Sequence, residues 1–126
     1  MKMKVSELEG ATLDYWVAKA EGATRAHIAT DEKGDFAVAE FTIDSGTKFT
    51  SPYFPSTQWG DGGPIFEREG FGICKFYEPT DGPCPEGSEW CALWRDDSMR
   101  ADGPTPLIAG MRLYVMSKFG EEVSEE

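Results

Sequence analysis

The spacing of hydrophobic positions changes twice along this chain. Near the start, Leu13, Trp16, Val17 and Ala20 fall at i, i+3, i+4 and i+7, the spacing that lays one apolar stripe along a helix. Ser6-Glu7-Leu8-Glu9 ahead of them has the form of a capping box, the Ser6 hydroxyl accepting from the Glu9 amide and the Glu9 carboxylate reaching back to the Ser6 amide. Gly22 supplies a left-handed stop, so the pattern predicts a helix over about residues 6–21. A second helix is expected over about residues 105–119. Thr105 caps it, Pro106 fits its first position and Gly120 closes it. Leu107, Ile108, Met111, Tyr114, Val115 and Phe119 give it a broad apolar face, and the acidic tail 121–126 beyond it is expected to fray.

Between the helices the period drops to two. Arg25 to Thr30 and Phe36 to Ile43, joined by the turn Asp31-Glu32-Lys33-Gly34, read as a hairpin; Lys48 to Thr50, Phe71 to Tyr77 and Glu89 to Arg95 read as further strands. A Pro- and Gly-rich excursion, Glu78 to Gly87, separates the last two. The expected fold is a single α+β domain, an antiparallel sheet of about four to five strands packed against the N- and C-terminal helices.

Ser51 to Pro64 interrupts both periods. Its three prolines, three glycines and three aromatics predict an irregular ordered loop, because proline removes donors and glycine weakens an element interior. Polar donors, aromatic faces and close-approach glycines in one loop suit a small-molecule pocket. An alternative stands beside it, in which the aromatics cover an open end of the core and the prolines stiffen the cover.

Composition narrows the functions. In 126 residues, 40% hydrophobic and 13% aromatic, there is material for one core. Twelve Lys and Arg against 23 Asp and Glu leave a formal charge of −11. That balance opposes general nucleic-acid binding and docking on anionic lipid, and leaves small ligands or basic protein partners. No apolar run approaches the roughly 18 residues of a membrane span. Acids also interrupt the N-terminus before a signal-like stretch forms, so a cytosolic protein is expected. Cys74, Cys84 and Cys91 match no zinc spacing and read as buried thiols.

Catalytic signatures are lacking. There is no nucleophile elbow, phosphate loop, dinucleotide fingerprint or His-Glu-x-x-His, and the one histidine, His27, lies in the first hairpin where exposure is its ordinary fate. Acid pairs such as Glu67 and Glu69, or Asp96 and Asp97, carry little information in so acidic a chain. No catalytic residue, metal or cofactor is assigned. Cations are scarcer and more informative: Arg68 follows the aromatic loop and Arg112 lies on the C-terminal helix, although surface pairing with an acid is the ordinary fate of either.

Three stretches together resemble the NinX-like small proteins of phages and prophages. They are Val5 to Gly22, with Leu13-Asp14-Tyr15-Trp16-Val17; the loop Tyr53 to Trp59 with Gly62 to Gly70; and Gly103 to Arg112 continuing to Val123. The resemblance covers the two helices and the central loop, roughly half the chain. It implies a phage accessory protein of the bacterial cytoplasm and names no reaction. Such proteins often act on host defences, in one strategy as a homo-oligomeric sponge that sequesters a cyclic or ADP-ribose-type nucleotide signal without cleaving it. The ligand-binding residues expected on that reading are Trp59 or Tyr53 against the base, Arg68, Arg112, Ser56 and Thr57 for phosphates, and Asp61 or Glu67 for ribose hydroxyls. Two other functions stand beside it: an acidic host-interaction or DNA-mimic protein, and a small hydrolase of nucleotide signals. The aromatic C-terminal helix, apolar beyond one stripe, is the element expected to support a dimer.

Overall fold

The computed structural model describes residues 2–43, 45–75, 90–94 and 99–124. Its strands are β1 (Lys2–Lys4), β2 (Arg25–Asp31), β3 (Gly34–Thr42), β4 (Lys48–Tyr53), β5 (Gly72–Lys75), β6 (Trp90–Leu93), β7 (Arg100–Gly103) and β8 (Glu122–Ser124). Its helices are α1 (Gly10–Ala20), α2 (Trp59–Glu69) and α3 (Pro106–Phe119). Every strand pairing among the described residues is antiparallel, and the class is α+β as expected. The strands are shared among three sheets, in the orders β1-β8, β2-β3-β4 and β5-β6-β7.

That division follows from α3. Residues 109–115 are buried without interruption, so the helix meets protein on every side. It packs on α1 and on the β5-β6-β7 sheet, while α1 packs in turn on β2-β3-β4. Small residues permit the approach: Ala37 and Ala39 are buried on β3, Ala92 and Ala101 on β6 and β7. The two-sided burial that suggested a dimer through α3 is thus satisfied by the chain itself.

Polar groups are carried into this core with partners. Arg112 is buried and donates from Nε to the Leu8 carbonyl at 2.7 Å and from Nη1 to the Asp102 carbonyl at 2.8 Å, tying the N-terminal segment and β7 to α3. The Thr105 hydroxyl accepts from the Ile108 amide at 3.1 Å, as its capping position predicted.

Three local expectations are corrected. The capping box does not form: Val5–Glu7 is a single 3-10 turn that buries Val5, and Gly10 then takes a positive φ of 58°, which breaks any helix running from Ser6 into α1. The irregular loop shrinks to residues 54–58, because β4 reaches Tyr53 and α2 starts at Trp59. Alpha-2 tolerates Gly60, Gly62, Gly63 and Pro64 because packing decides: Ile65 is buried, and a Cβ at Gly62 would strike the Pro55 carbonyl. The tail is not frayed over 122–124, since β8 pairs with β1 in the register Met3↔Val123 and Lys4↔Glu122, with Val123 buried. Cys74 lies on β5 opposite Cys91 of β6, whose side chain is buried; Cys84, Arg95, Asp96, Asp97 and the 78–87 excursion fall outside the described residues.

Gly110 is where α2 meets α3. The Phe66 ring occupies the space a Cβ would take there. Gly110→Ala should therefore cost about 1–3 kcal/mol by overpacking, read as a lower midpoint in urea unfolding, whereas Gly60→Ala, with open space around it, should cost far less.

Candidate functional site

The segment from β4 through α2 carries most of the residues singled out in the sequence, and three polar or aromatic clusters organise it. The first is buried. Asp14 on α1 is 3% exposed and accepts from the Ser56 amide at 2.8 Å, fastening the 54–58 turn to α1. Burial pushes its carboxyl from 3.8 up to about 6, against the pull of the Ser56 amide and hydroxyl, and the Asp61 charge adds to the rise. The Ser56 hydroxyl is fully buried and reaches no partner at hydrogen-bond geometry. Asp61, in the first turn of α2, accepts from the Phe54 amide at 2.9 Å and closes the same turn from the other side.

The second cluster joins the C-terminal ends of α1 and α2 to the middle of α3. Arg68 donates to both carboxylate oxygens of Glu21, to Glu69 at 2.8 Å and to the Tyr114 hydroxyl at 3.0 Å. Tyr114 donates in turn to Glu21. Burial by itself raises the Glu21 carboxyl, but the bonds from Arg68 and Tyr114 and the Arg68 charge outweigh it and hold the group below the usual carboxylate range. The same bonds raise Arg68 above its ordinary value, and burial with the Glu21 bond does so for Tyr114. This is a three-helix clasp with its donors committed.

The third is a groove of about 280 Å³ lined by Ser56, Thr57, Trp59, Thr105, Pro106, Leu107 and Ile108. Trp59, 53% exposed, rims it and leans toward Phe66, with ring centroids 5.5 Å apart. The opposite wall is the first turn of α3, where the helix presents its positive pole. No lining residue is ionisable, although the chain holds 23 Asp and Glu.

The structure therefore brings Ser56, Thr57 and Trp59 together and separates them from the two arginines. Arg68 lies nine residues from Trp59 along α2, about 14 Å at the helical rise. Arg112 is spent on internal carbonyls. Tyr53 is half-buried and packs edge-on to Phe41 at 5.6 Å; burial, with Glu21 and Asp61 nearby, raises its phenol. Glu67 is exposed on α2, and His27 is exposed on β2. Among the described residues no group of three or more His, Cys, Asp or Glu comes together for a metal. The sequence reading missed Asp14, Glu21, Tyr114 and the α3 wall. Asp14 carried a signal: it shares a helix face with Val17 and Ala18, both buried, where a carboxylate must find an internal donor.

Fold and groove together define a small α+β protein with a neutral, aromatic-rimmed cleft on an acidic chain. Over residues 4–118 it matches the family described as Bacteriophage P22, NinX, and the chain belongs to that family. Comparison with curated proteins finds no match.

Asp14 makes stability depend on pH in a direction that can be checked. Its folded pKa lies above the unfolded value, so the native state binds the extra proton and loses stability as pH rises from about 4 to about 6. Asp14→Asn keeps an acceptor for the Ser56 amide and removes the buried charge. Relative to the parent it should gain up to about 3 kcal/mol between pH 4 and pH 7, measured by urea unfolding at each pH. A difference that stays flat across that window contradicts the assignment.

Proposed function

We propose that this protein is a non-enzymatic phage accessory factor of the host bacterial cytoplasm that binds and sequesters a small nucleotide-type ligand, of the cyclic-nucleotide or ADP-ribose class used as host immune signals. One observation carries the reading: an exposed tryptophan rims a groove free of carboxylates and walled by a helix N-terminus. A base stacks on Trp59, and a phosphate meets the positive pole of α3 and the hydroxyls of Thr57 and Thr105. An anion can enter despite the charge of −11, because the local field follows the groove wall rather than the global sign. On this reading Tyr53, Asp61, Arg68 and Arg112 hold the walls in place. The membership in a phage family supports an action on the host. That no helix among the described residues is long and apolar enough to cross a membrane is compatible with it.

The test is a thermal-shift panel of cyclic di- and trinucleotides, cyclic ADP-ribose isomers and linear nucleotides, followed by denaturation and chromatography of the released ligand. At least one member should raise the midpoint and be recovered intact, and Trp59→Ala should weaken that binding at least tenfold while leaving the fold unchanged by circular dichroism. Recovery of a cleaved product would replace sequestration with hydrolysis. No shift from any member, with protein shown to be folded, would overturn the reading and leave the acidic surface as a docking face for a basic host protein.

A further inference from the structure

The β2-β3-β4 sheet has two edges, and they are built differently. Along β4, Lys48 and Pro52 blunt the edge, a charge and a missing donor at its two ends. Beta-2 has no proline: it is seven residues long, its only formal charges, Arg25 and Asp31, stand at its two ends, and it pairs only with β3 among the described residues. At its centre Ile28 is 42% exposed.

We propose that β2 pairs with β2 of a second copy of this chain, antiparallel about a two-fold axis through Ile28, joining the two sheets into one of six strands. The sequence of the strand is self-complementary in that register. With Ile28 opposite Ile28, Arg25 falls opposite Asp31 at both ends, Ala26 opposite Thr30, and His27 opposite the small Ala29. Residues directly opposite in an antiparallel pair project to the same face, so each Arg25 meets an opposite charge and each Ile28 an apolar partner. Shifting the register by two residues places Arg25 against Ala29 or Asp31 against His27 and loses both charge pairs. Among the described residues neither Arg25 nor Asp31 forms an ion pair within the chain, and Asp31 uses one carboxylate oxygen to accept from the Lys33 amide at 2.8 Å. The contact is isologous and closed, which is how an unprotected edge is consumed without leading to open aggregation.

The charge pairing makes a mixing experiment decisive. By light scattering coupled to size-exclusion chromatography the protein should elute with the mass of two chains. Arg25→Asp places acids at both ends of the strand and Asp31→Arg places bases there, so each variant alone should be monomeric. An equimolar mixture of the two should restore a dimer, because each now complements the other. Ile28→Lys, at an exposed position, should give a folded monomer by circular dichroism. A monomeric parent into the high-micromolar range, single variants that dimerise like the parent, or a mixture that stays monomeric would each overturn the proposal.

Discussion

A helix whose middle two turns have no solvent face is the constraint from which the rest of this molecule follows. Alpha-3 buries seven consecutive residues, so protein must approach it on every side. One sheet cannot do that. The chain answers with a second helix, a second three-stranded sheet and a two-stranded pairing of its ends, each set against α3 or against its neighbour. Close approach sets the composition at the contacts: Gly110 accommodates the Phe66 ring, and Gly103 brings β7 against the backbone at Ala109. Arg112, carried inward on α3, is satisfied by reaching outward to distant segments, the carbonyls of Leu8 and Asp102.

The same constraint shapes the candidate site. Because α2 must dock Phe66 and Ile65 against α3, its first residue, Trp59, is delivered to the rim of the α3 N-terminus instead of into the core. The turn that precedes it is fastened twice, by Asp14 to the Ser56 amide and by Asp61 to the Phe54 amide. At the far end of α2, Arg68 closes the clasp with Glu21 and Tyr114. A surface ion pair is worth little by itself, but here the guanidinium binds both oxygens of one carboxylate together with a phenol that bonds the same group. The turn ahead of Trp59 is thus tied down on both sides, and the far end of α2 is tied to α1 and α3.

Much of the fold could be read from the sequence, and the parts that could not share a cause. Alpha-3 was legible from Thr105, Pro106 and Gly120 because its caps are local chemistry, and the first hairpin was legible from alternation around Asp31 to Gly34. Alpha-2 was not. Local propensity at Gly60, Gly62, Gly63 and Pro64 argues against a helix, and only the tertiary demand of Ile65 and Phe66 overrides it. Beta-8 was hidden for a similar reason: Glu122, Val123 and Ser124 look like a solvated tail until Met3 and Lys4 lie beside them. At the site, aromatic and hydroxyl side chains of one short segment pointed to Ser56, Thr57 and Trp59 correctly as neighbours. The arginines do not join that group: Arg68, close to it in sequence, lies about 14 Å from Trp59 along a helix, and Arg112 is bonded to the carbonyls of Leu8 and Asp102.

The central claim is that the cleft between Trp59 and the first turn of α3 is where a nucleotide-type ligand sits. Amide chemical-shift mapping by NMR tests it most directly, with uniformly labelled protein titrated with a cyclic dinucleotide, an ADP-ribose isomer and a linear nucleotide. The account predicts saturable shifts, for at least one of them, concentrated at Thr57, Gln58, the Trp59 indole, Leu107 and Ile108. Shifts centred elsewhere, or none at saturating ligand, would contradict it.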